Sequence, residues 1–232
     1  MTPPASPARP RIRAVGDHAL LVEFGETITA EGHDAALRLD AELAEAPFPG
    51  FCEAVPANVS VLIDFDPAVA DPVAAESAVE RLLANAKPVV HQSAAREALV
   101  CYDEDLGPDL QNVAAQTGLS VDEVIAQHLS GDYAVYMYGF APGYAYLAGV
   151  PERLRIPRKS APLRGISAGS VIIAGSQCLI TTLTMPTGWW IIGRSPTRIL
   201  TGDERRPFLF DVADRVKFRR IERAEFDALS RA

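Results

Sequence analysis

The chain has 232 residues, 48% apolar and 22% charged, the balance of an ordinary globular protein with a sizeable core in one domain or two. A formal charge of −8 argues against a nucleic-acid partner, because phosphates call for basic surfaces, and no apolar run approaches the ~18 residues of a membrane span. Cys52, Cys101 and Cys178 are too few and too scattered for a disulfide framework or a structural zinc site. They read as buried small apolar residues in a reducing cytoplasm, and no metal site is indicated.

The Pro-rich residues 1–10 carry no signal-peptide core and read as a disordered lead-in. Arg11–Val15 and Ala19–Phe24 look like two short strands turning at Gly16-Asp17, and the continuous run Ala19–Val22 suggests a strand covered on both faces. Residues 31–46 have helical spacing, with Ala36, Leu39 and Leu43 on one face, and Pro47 ends the pattern. Residues 51–66 are strand-like, with Val59, Val61, Ile63 and Phe65 alternating against polar neighbours. Asp71-Pro72 then starts a helix to about residue 86, with Ala75, Val79 and Leu82 inward. The order ββαββα suggests a small two-layer α/β domain over 11–90. His18 and His33 stand alone in this part and read as surface or capping residues.

A boundary is expected at 88–94, and a second domain over 91–232. After a strand at 96–103, one helix runs over 108–117 and stops at Gly118. Ser120 and Glu123 have the spacing of a capping box that opens a second helix, ending near Ser130-Gly131. His128 falls in the last turn, where the helix dipole favours a protonated ring by up to ~1 kcal/mol. It reads either as a dipole partner or as a pocket wall and proton donor. Beyond residue 132 the pattern is β: 133–138, 171–174, 179–184, 189–192, 207–210 and 215–220 are short strands divided by Gly, Pro and Asp. A closed barrel or a sandwich follows, with a short helix over 223–229.

The sequence has no G-x-S-x-G, H-E-x-x-H, Walker loop or G-x-G-x-x-G. A self-contained hydrolase is not indicated. A polar set remains at strand ends: Arg158, Gln177 and Arg194, with Tyr144, Tyr146, Trp189 and Trp190 nearby in sequence. Two guanidinium groups and an amide could orient a small carboxylate between aromatic walls, or could satisfy loop backbones. The cluster Arg153, Arg155, Arg158, Lys159 and Arg164 likewise reads as a solvated loop or as an anion contact.

The runs GFAPGYAYLAGVPERLRIPRKSAP (139–162), AGSVIIAGSQ (168–177) and GWWIIGRSP (188–196) resemble the KipI / allophanate hydrolase subunit 1 family. Upstream, GDHALLVEFG (16–25), VPANVSVLIDFDP (55–67), GPDL (107–110) and GLSVDEVIAQH (118–128) resemble it too, so the likeness covers nearly the whole chain. The resemblance implies an α+β protein: a small ββαββα two-layer N-terminal domain followed by a cyclophilin-like β-barrel. It also implies a subunit of a 5-oxoprolinase, in which ATP-driven opening of 5-oxoproline gives glutamate. Its expected partners are a KipA / allophanate hydrolase subunit 2 type chain and a third, amidohydrolase-like subunit. ATP acts in the complex, without its contact being assigned to this chain. Alternatives within the family are half of a biotin-dependent carboxyltransferase acting on urea or a related amide, and a KipI-type inhibitor of a histidine kinase. Peptidyl-prolyl isomerase activity rests on fold analogy alone.

On this resemblance His128, Gln177 and Arg194 are selected as catalytic groups. Phe140, Pro142, Gly143, Tyr144, Arg158 and Trp189 are selected as substrate-binding residues. The chain departs from the family pattern at Pro162-Leu163, where Pro-Arg is usual, and at Ile166–Ser170. It departs again at Thr181-Thr182, where Tyr-Pro is common, and at Thr187-Gly188. Losing a basic and an aromatic group from the expected pocket edge suggests a different substrate.

Overall fold

The structure, a computed structural model, describes residues 10–85 and 93–231, in a chain that divides into two compact units, 1–91 and 92–232. The expected lead-in over 1–9 and most of the expected boundary at 88–94 lie outside the described residues.

In the first unit the elements run β1 (Arg11–Val15), β2 (Ala19–Glu23), α1 (Ala30–Glu45), β3 (Phe51–Ala57), β4 (Ser60–Phe65) and α2 (Pro72–Asn85). The strands form one antiparallel sheet in the order β1-β2-β4-β3. Thr29 caps α1 by accepting from the Gly32 amide at 3.1 Å, which satisfies one of the donors a helix start leaves open. Alternation along β2 and β4 sends Leu20, Val22, Val61, Ile63 and Phe65 into a core with Leu39 and Leu43 of α1 and Ala75 and Val79 of α2. Leu21 and its cross-strand partner Leu62 face the other way, and Leu62 is 38% exposed. The run Ala19–Val22 is therefore covered on one face, not two. His33 is buried rather than superficial, its Nδ1 2.8 Å from the Asn58 carbonyl oxygen.

The second unit opens with β5 (Ala95–Val100), α3 (Leu110–Thr117) and α4 (Val121–Ser130). The capping box forms as the spacing predicts: Ser120 Oγ accepts from the Glu123 amide, and the Glu123 carboxylate accepts from the Ser120 amide at 2.8 Å. Then follow β6 (Tyr133–Tyr138), β7 (Ala145–Ala148), β8 (Leu163–Ile166), β9 (Ser170–Ala174), β10 (Gln177–Ile180), β11 (Met185–Thr187), β12 (Trp190–Arg194), β13 (Arg215–Arg220) and α5 (Arg223–Ser230). Seven of these strands pair in the order β12-β9-β10-β7-β6-β13-β5. A bridge between Cys101 and Arg194 joins the two end strands through paired amide–carbonyl bonds of 2.8 and 2.9 Å, so the sheet closes into a barrel. Closure removes the exposed edges that an open sheet would present. The short ribbon β8–β11 stands outside this sheet.

Two expected strands differ from what forms. The segment expected as 179–184 begins at Gln177 and ends at Ile180, because Thr181 and Thr182 spend their hydrogen bonds on Ser167, Ser170 and Pro142. Residues 207–210 make only an isolated bridge, Leu200 to Phe208. Of the cysteines, Cys101 and Cys178 are buried and Cys52 is exposed. Alternate residues of β9 serve two cores: Val171 and Ile173 point into the barrel interior, while Ile172 and Ala174 join Tyr144, Leu179, Trp189 and Ile191 on its outer face. That outer cluster is the floor of the candidate site.

Candidate functional site

The segment Pro157-Arg158-Lys159 is fastened to β12 and its approach by three contacts. Trp190 Nε1 donates to the Pro157 carbonyl at 2.7 Å, the Lys159 amide donates to the Gly188 carbonyl at 2.7 Å, and the Lys159 ammonium pairs with Asp109. Asp109 also accepts from the Ile191 amide at 2.7 Å. Both members of this ion pair are about nine-tenths buried, so it is little screened by solvent. Successive residues then lie over successive indoles. The Arg158 guanidinium sits 5.4 Å from the Trp189 ring centre, and the Lys159 ammonium 5.3 Å from that of Trp190. Lys159 is spent on Asp109. Arg158 has no carboxylate partner among the described residues.

Arg158 and Trp189 line a cavity of about 130 Å³ together with Phe140, Tyr144, Tyr146 and Thr181, over a floor of Ile172 and Leu179. The Tyr146 ring meets Trp189 edge-on at 5.9 Å. Burial raises the Tyr144 and Tyr146 phenols above their usual range, with Arg158 pulling Tyr146 partly back, so both stay protonated at neutral pH. No Asp, Glu or His lines this cavity. It offers one guanidinium, two phenols and aromatic walls, which suits a small planar ligand bearing a carboxylate.

The turn Gly139–Tyr144 forms one rim. The Ala141 amide donates to the Gly139 carbonyl at 2.8 Å and the Tyr144 amide to the Ala141 carbonyl at 3.1 Å. Phe140 is 70% exposed and has φ +68, a conformation costly for a bulky residue and held here by the surrounding bonds. Gly143 also has positive φ, and a Cβ there would meet Leu200 at 2.8 Å and Thr182 at 3.0 Å. Thr182 secures the turn by donating to the Pro142 carbonyl at 2.6 Å. Of the six substrate-binding residues, Phe140, Tyr144, Arg158 and Trp189 line the cavity, while Pro142 and Gly143 shape its rim.

The three residues selected as catalytic lie apart from one another. His128 is fully buried in the barrel core, with the Tyr102 hydroxyl 2.7 Å from Nδ1 and Cys178 Sγ 3.5 Å from Nε2. Its ring packs on Phe218 at 4.5 Å. Burial lowers its pKa to about 3, so the ring is neutral, and the expected protonated dipole partner does not form. Desolvation outweighs the few tenths to ~1 kcal/mol that a helix end supplies. Gln177 begins β10 beside Ala174, while Arg194 pairs with Ser170 at the other end of β9. Four residues of strand put them about 13 Å apart along β9. Gln177 lines neither the Arg158 cavity nor the larger one that holds Arg194.

That larger cavity, about 390 Å³, contains Arg194, Ser195, Thr197 and Arg198, and shares Thr181 with the first. Sequence reasoning missed Thr181, Arg198 and the Asp109–Lys159 pair as parts of one region. Asp109 and Lys159 lie 50 residues apart, with no local pattern to join them. The match of residues 10–210 to the family model "Carboxyltransferase domain, subdomain C and D" decides the affiliation. The chain belongs to the carboxyltransferase domain family.

Relatives within that family span the whole chain. It is 37% identical to the B-type subunit of the 5-oxoprolinase of Bacillus subtilis (strain 168), over 95% of this chain and 96% of that one. It is 32% identical to the corresponding 5-oxoprolinase subunit of Escherichia coli O157:H7, over 90% and 95%. The resemblance drawn from the sequence motifs is thus borne out. The crystal structure of the Kluyveromyces lactis urea amidolyase superposes with a TM-score of 0.78 at 18% identity, covering 97% of this chain and 16% of that one, and shares the fold. The departures at Thr181-Thr182 and Thr187 fall in the carboxyltransferase-type site itself: Thr181 walls both cavities and Thr187 lines the smaller. Among the described residues no cluster of His, Cys, Asp and Glu could hold a metal, and no helix is long and apolar enough to cross a membrane.

Proposed function

We propose that this chain is the B-type subunit of a hetero-oligomeric 5-oxoprolinase, which opens 5-oxoproline to glutamate with hydrolysis of ATP. The barrel is a cyclophilin-like scaffold in this reading. The chain works with a KipA / allophanate hydrolase subunit 2 type partner and a third, amidohydrolase-like subunit. Identity over nearly the full length of two such 5-oxoprolinase subunits supports the assignment. The observation that carries it is the Arg158–Trp189 cavity, where an unpaired guanidinium lies over an indole between two neutral phenols. 5-Oxoproline is a small planar lactam with one carboxylate. Arg158 takes the carboxylate, Trp189 and Tyr144 flank the ring, and a phenol donates to the lactam carbonyl. ATP supplies the driving force for opening an unstrained amide. With no Asp, Glu or His in the cavity, proton transfer comes from groups outside it, and a partner subunit completing the site accounts for the exposed Phe140 rim.

Purifying the chain with its partner subunits and following glutamate formation coupled to ATP hydrolysis tests this. Turnover is expected, with KM for 5-oxoproline raised about tenfold or more by Arg158→Ala, the worth of one charged hydrogen-bonded contact. Absence of 5-oxoproline-dependent ATP hydrolysis removes the assignment. The family's name favours a second reading, transfer of a carboxyl group from carboxybiotin to urea or a related amide in the same cavity. Recovery of a biotinylated carrier protein with this chain, and carboxylation of an amide, would select it.

A further inference from the structure

We propose that the larger cavity binds a phosphate group of ATP, so that this chain itself carries the nucleotide site of the complex. The inference rests on the 5-oxoprolinase reading and adds where the co-substrate is held. Two guanidinium groups, Arg194 and Arg198, line the cavity, and no Asp, Glu or His does. The same unit pairs Arg96, Arg206, Arg215, Arg219 and Arg223 with carboxylates. Among the described residues Arg194 and Arg198 have no such pairing. In a chain of net charge −8, two arginines left without acids beside one cavity mark a place kept for an outside anion.

Arg194 is rigidly presented. Its backbone makes the barrel-closing bonds to Cys101, and its Nε donates to the Ala168 carbonyl at 3.2 Å. Only the terminal nitrogens remain for a ligand. The nearby hydroxyls add to this donor set. Ser195 Oγ accepts from the Thr197 amide at 3.1 Å and Thr197 Oγ1 from the Leu99 amide at 2.9 Å, so each keeps its proton to donate. The Thr181 and Thr182 protons are already given to Ser167 and Pro142. Spare hydrogen-bonding capacity here is thus all on the donor side, the complement of a phosphate's acceptor oxygens. The last turn of α5, at Leu229 and Ser230, would repel an anion weakly, which places the phosphate on the arginine side and the rest of the ligand against Ile199, Leu200 and Phe226. The smaller cavity has one guanidinium and about 130 Å³, against two and about 390 Å³ here. The two ligands then meet across Thr181, a residue of both walls.

Calorimetric titration of the full-length chain with ATP, ADP and inorganic phosphate at low salt tests the proposal. ATP is expected to bind. Its Kd should rise about tenfold or more in Arg194→Ala and in Arg198→Glu and stay unchanged in Arg158→Ala. Arg198 is exposed, so its charge reversal keeps the fold and leaves the test valid even where Arg194→Ala does not fold. Inorganic phosphate should compete with ATP. No ATP binding at millimolar concentration, binding indifferent to both Arg194 and Arg198, or loss in Arg158→Ala alone overturns the proposal. The titration needs no turnover, so its failure is separate from failure of the 5-oxoprolinase assignment, which the complex's activity decides.

Discussion

A fully buried histidine makes the stability of the barrel unit depend on pH in a calculable way. His128 is neutral in the fold, its pKa lowered to about 3 by burial, whereas in the unfolded chain it titrates near 6.5. Below pH 6.5 the unfolded state therefore binds a proton that the folded state refuses, and stability falls as pH falls. The loss runs at about 1.4 kcal/mol per pH unit until the folded pKa is reached near 3. By pH 4.5 the contribution is about 2–3 kcal/mol, a sizeable part of a typical domain stability of ~5–15 kcal/mol. His128→Gln removes this term while leaving the other titrating groups in place. Its amide can still meet Tyr102 and Cys178 in some measure, and any fixed cost of the substitution is the same at every pH. Urea unfolding of both proteins at pH 7.5, 6.5, 5.5 and 4.5 measures the effect. Wild type should lose about 2–3 kcal/mol more than the variant across that range. Parallel pH profiles would refute the reasoning and show that the ring is solvated or protonated in the fold.

Other expectations follow from single contacts. Asp109→Ala strands the Lys159 ammonium in a site about nine-tenths buried and frees the Ile191 amide, so about 3–5 kcal/mol should be lost in urea unfolding. The same variant should loosen Arg158 and raise KM in the assembled enzyme. Gly149→Ala places a Cβ 2.1 Å from the Asp132 carbonyl oxygen at φ +112, and about 3 kcal/mol or more of destabilisation should appear as a lower Tm. Phe140→Ala removes a 70% exposed ring from the rim without touching the core. It should weaken assembly with the partner subunit in analytical ultracentrifugation and leave the Tm of the free chain unchanged within a degree or two.

Elements carried by local signals were legible. The 3.6-residue spacing of Ala36, Leu39 and Leu43, the Ser120–Glu123 box and the alternation along 59–65 each concern neighbours within a turn or a strand, and each forms as read. The strands that escaped notice, β7, β8 and β11, are four, four and three residues long, too short for a period to show. Tertiary pairing alone makes them strands. Residues 179–184 were displaced for the opposite reason: strand-prone threonines found better partners in the loops at Ser167 and Pro142.

The site divides along the same line. Residue types and motifs singled out Arg158, Trp189, Tyr144 and Phe140, because an arginine among aromatics in Gly/Pro-rich loops is an uncommon and specific pattern. Which cation is available was beyond the sequence. Arg158 and Lys159 are adjacent and chemically alike, yet a partner 50 residues away consumes one and leaves the other over its indole. His128 shows the same limit. Its place in a last helical turn is local, while its charge is decided by Tyr102, Cys178 and Phe218 arriving from distant parts of the chain. Sequence by itself determined the family, the helices, the longer strands and the kinds of group at the site. Only the closed barrel decided their protonation, their pairing and which of them share a cavity, since burial and contact are set by residues far apart along the chain.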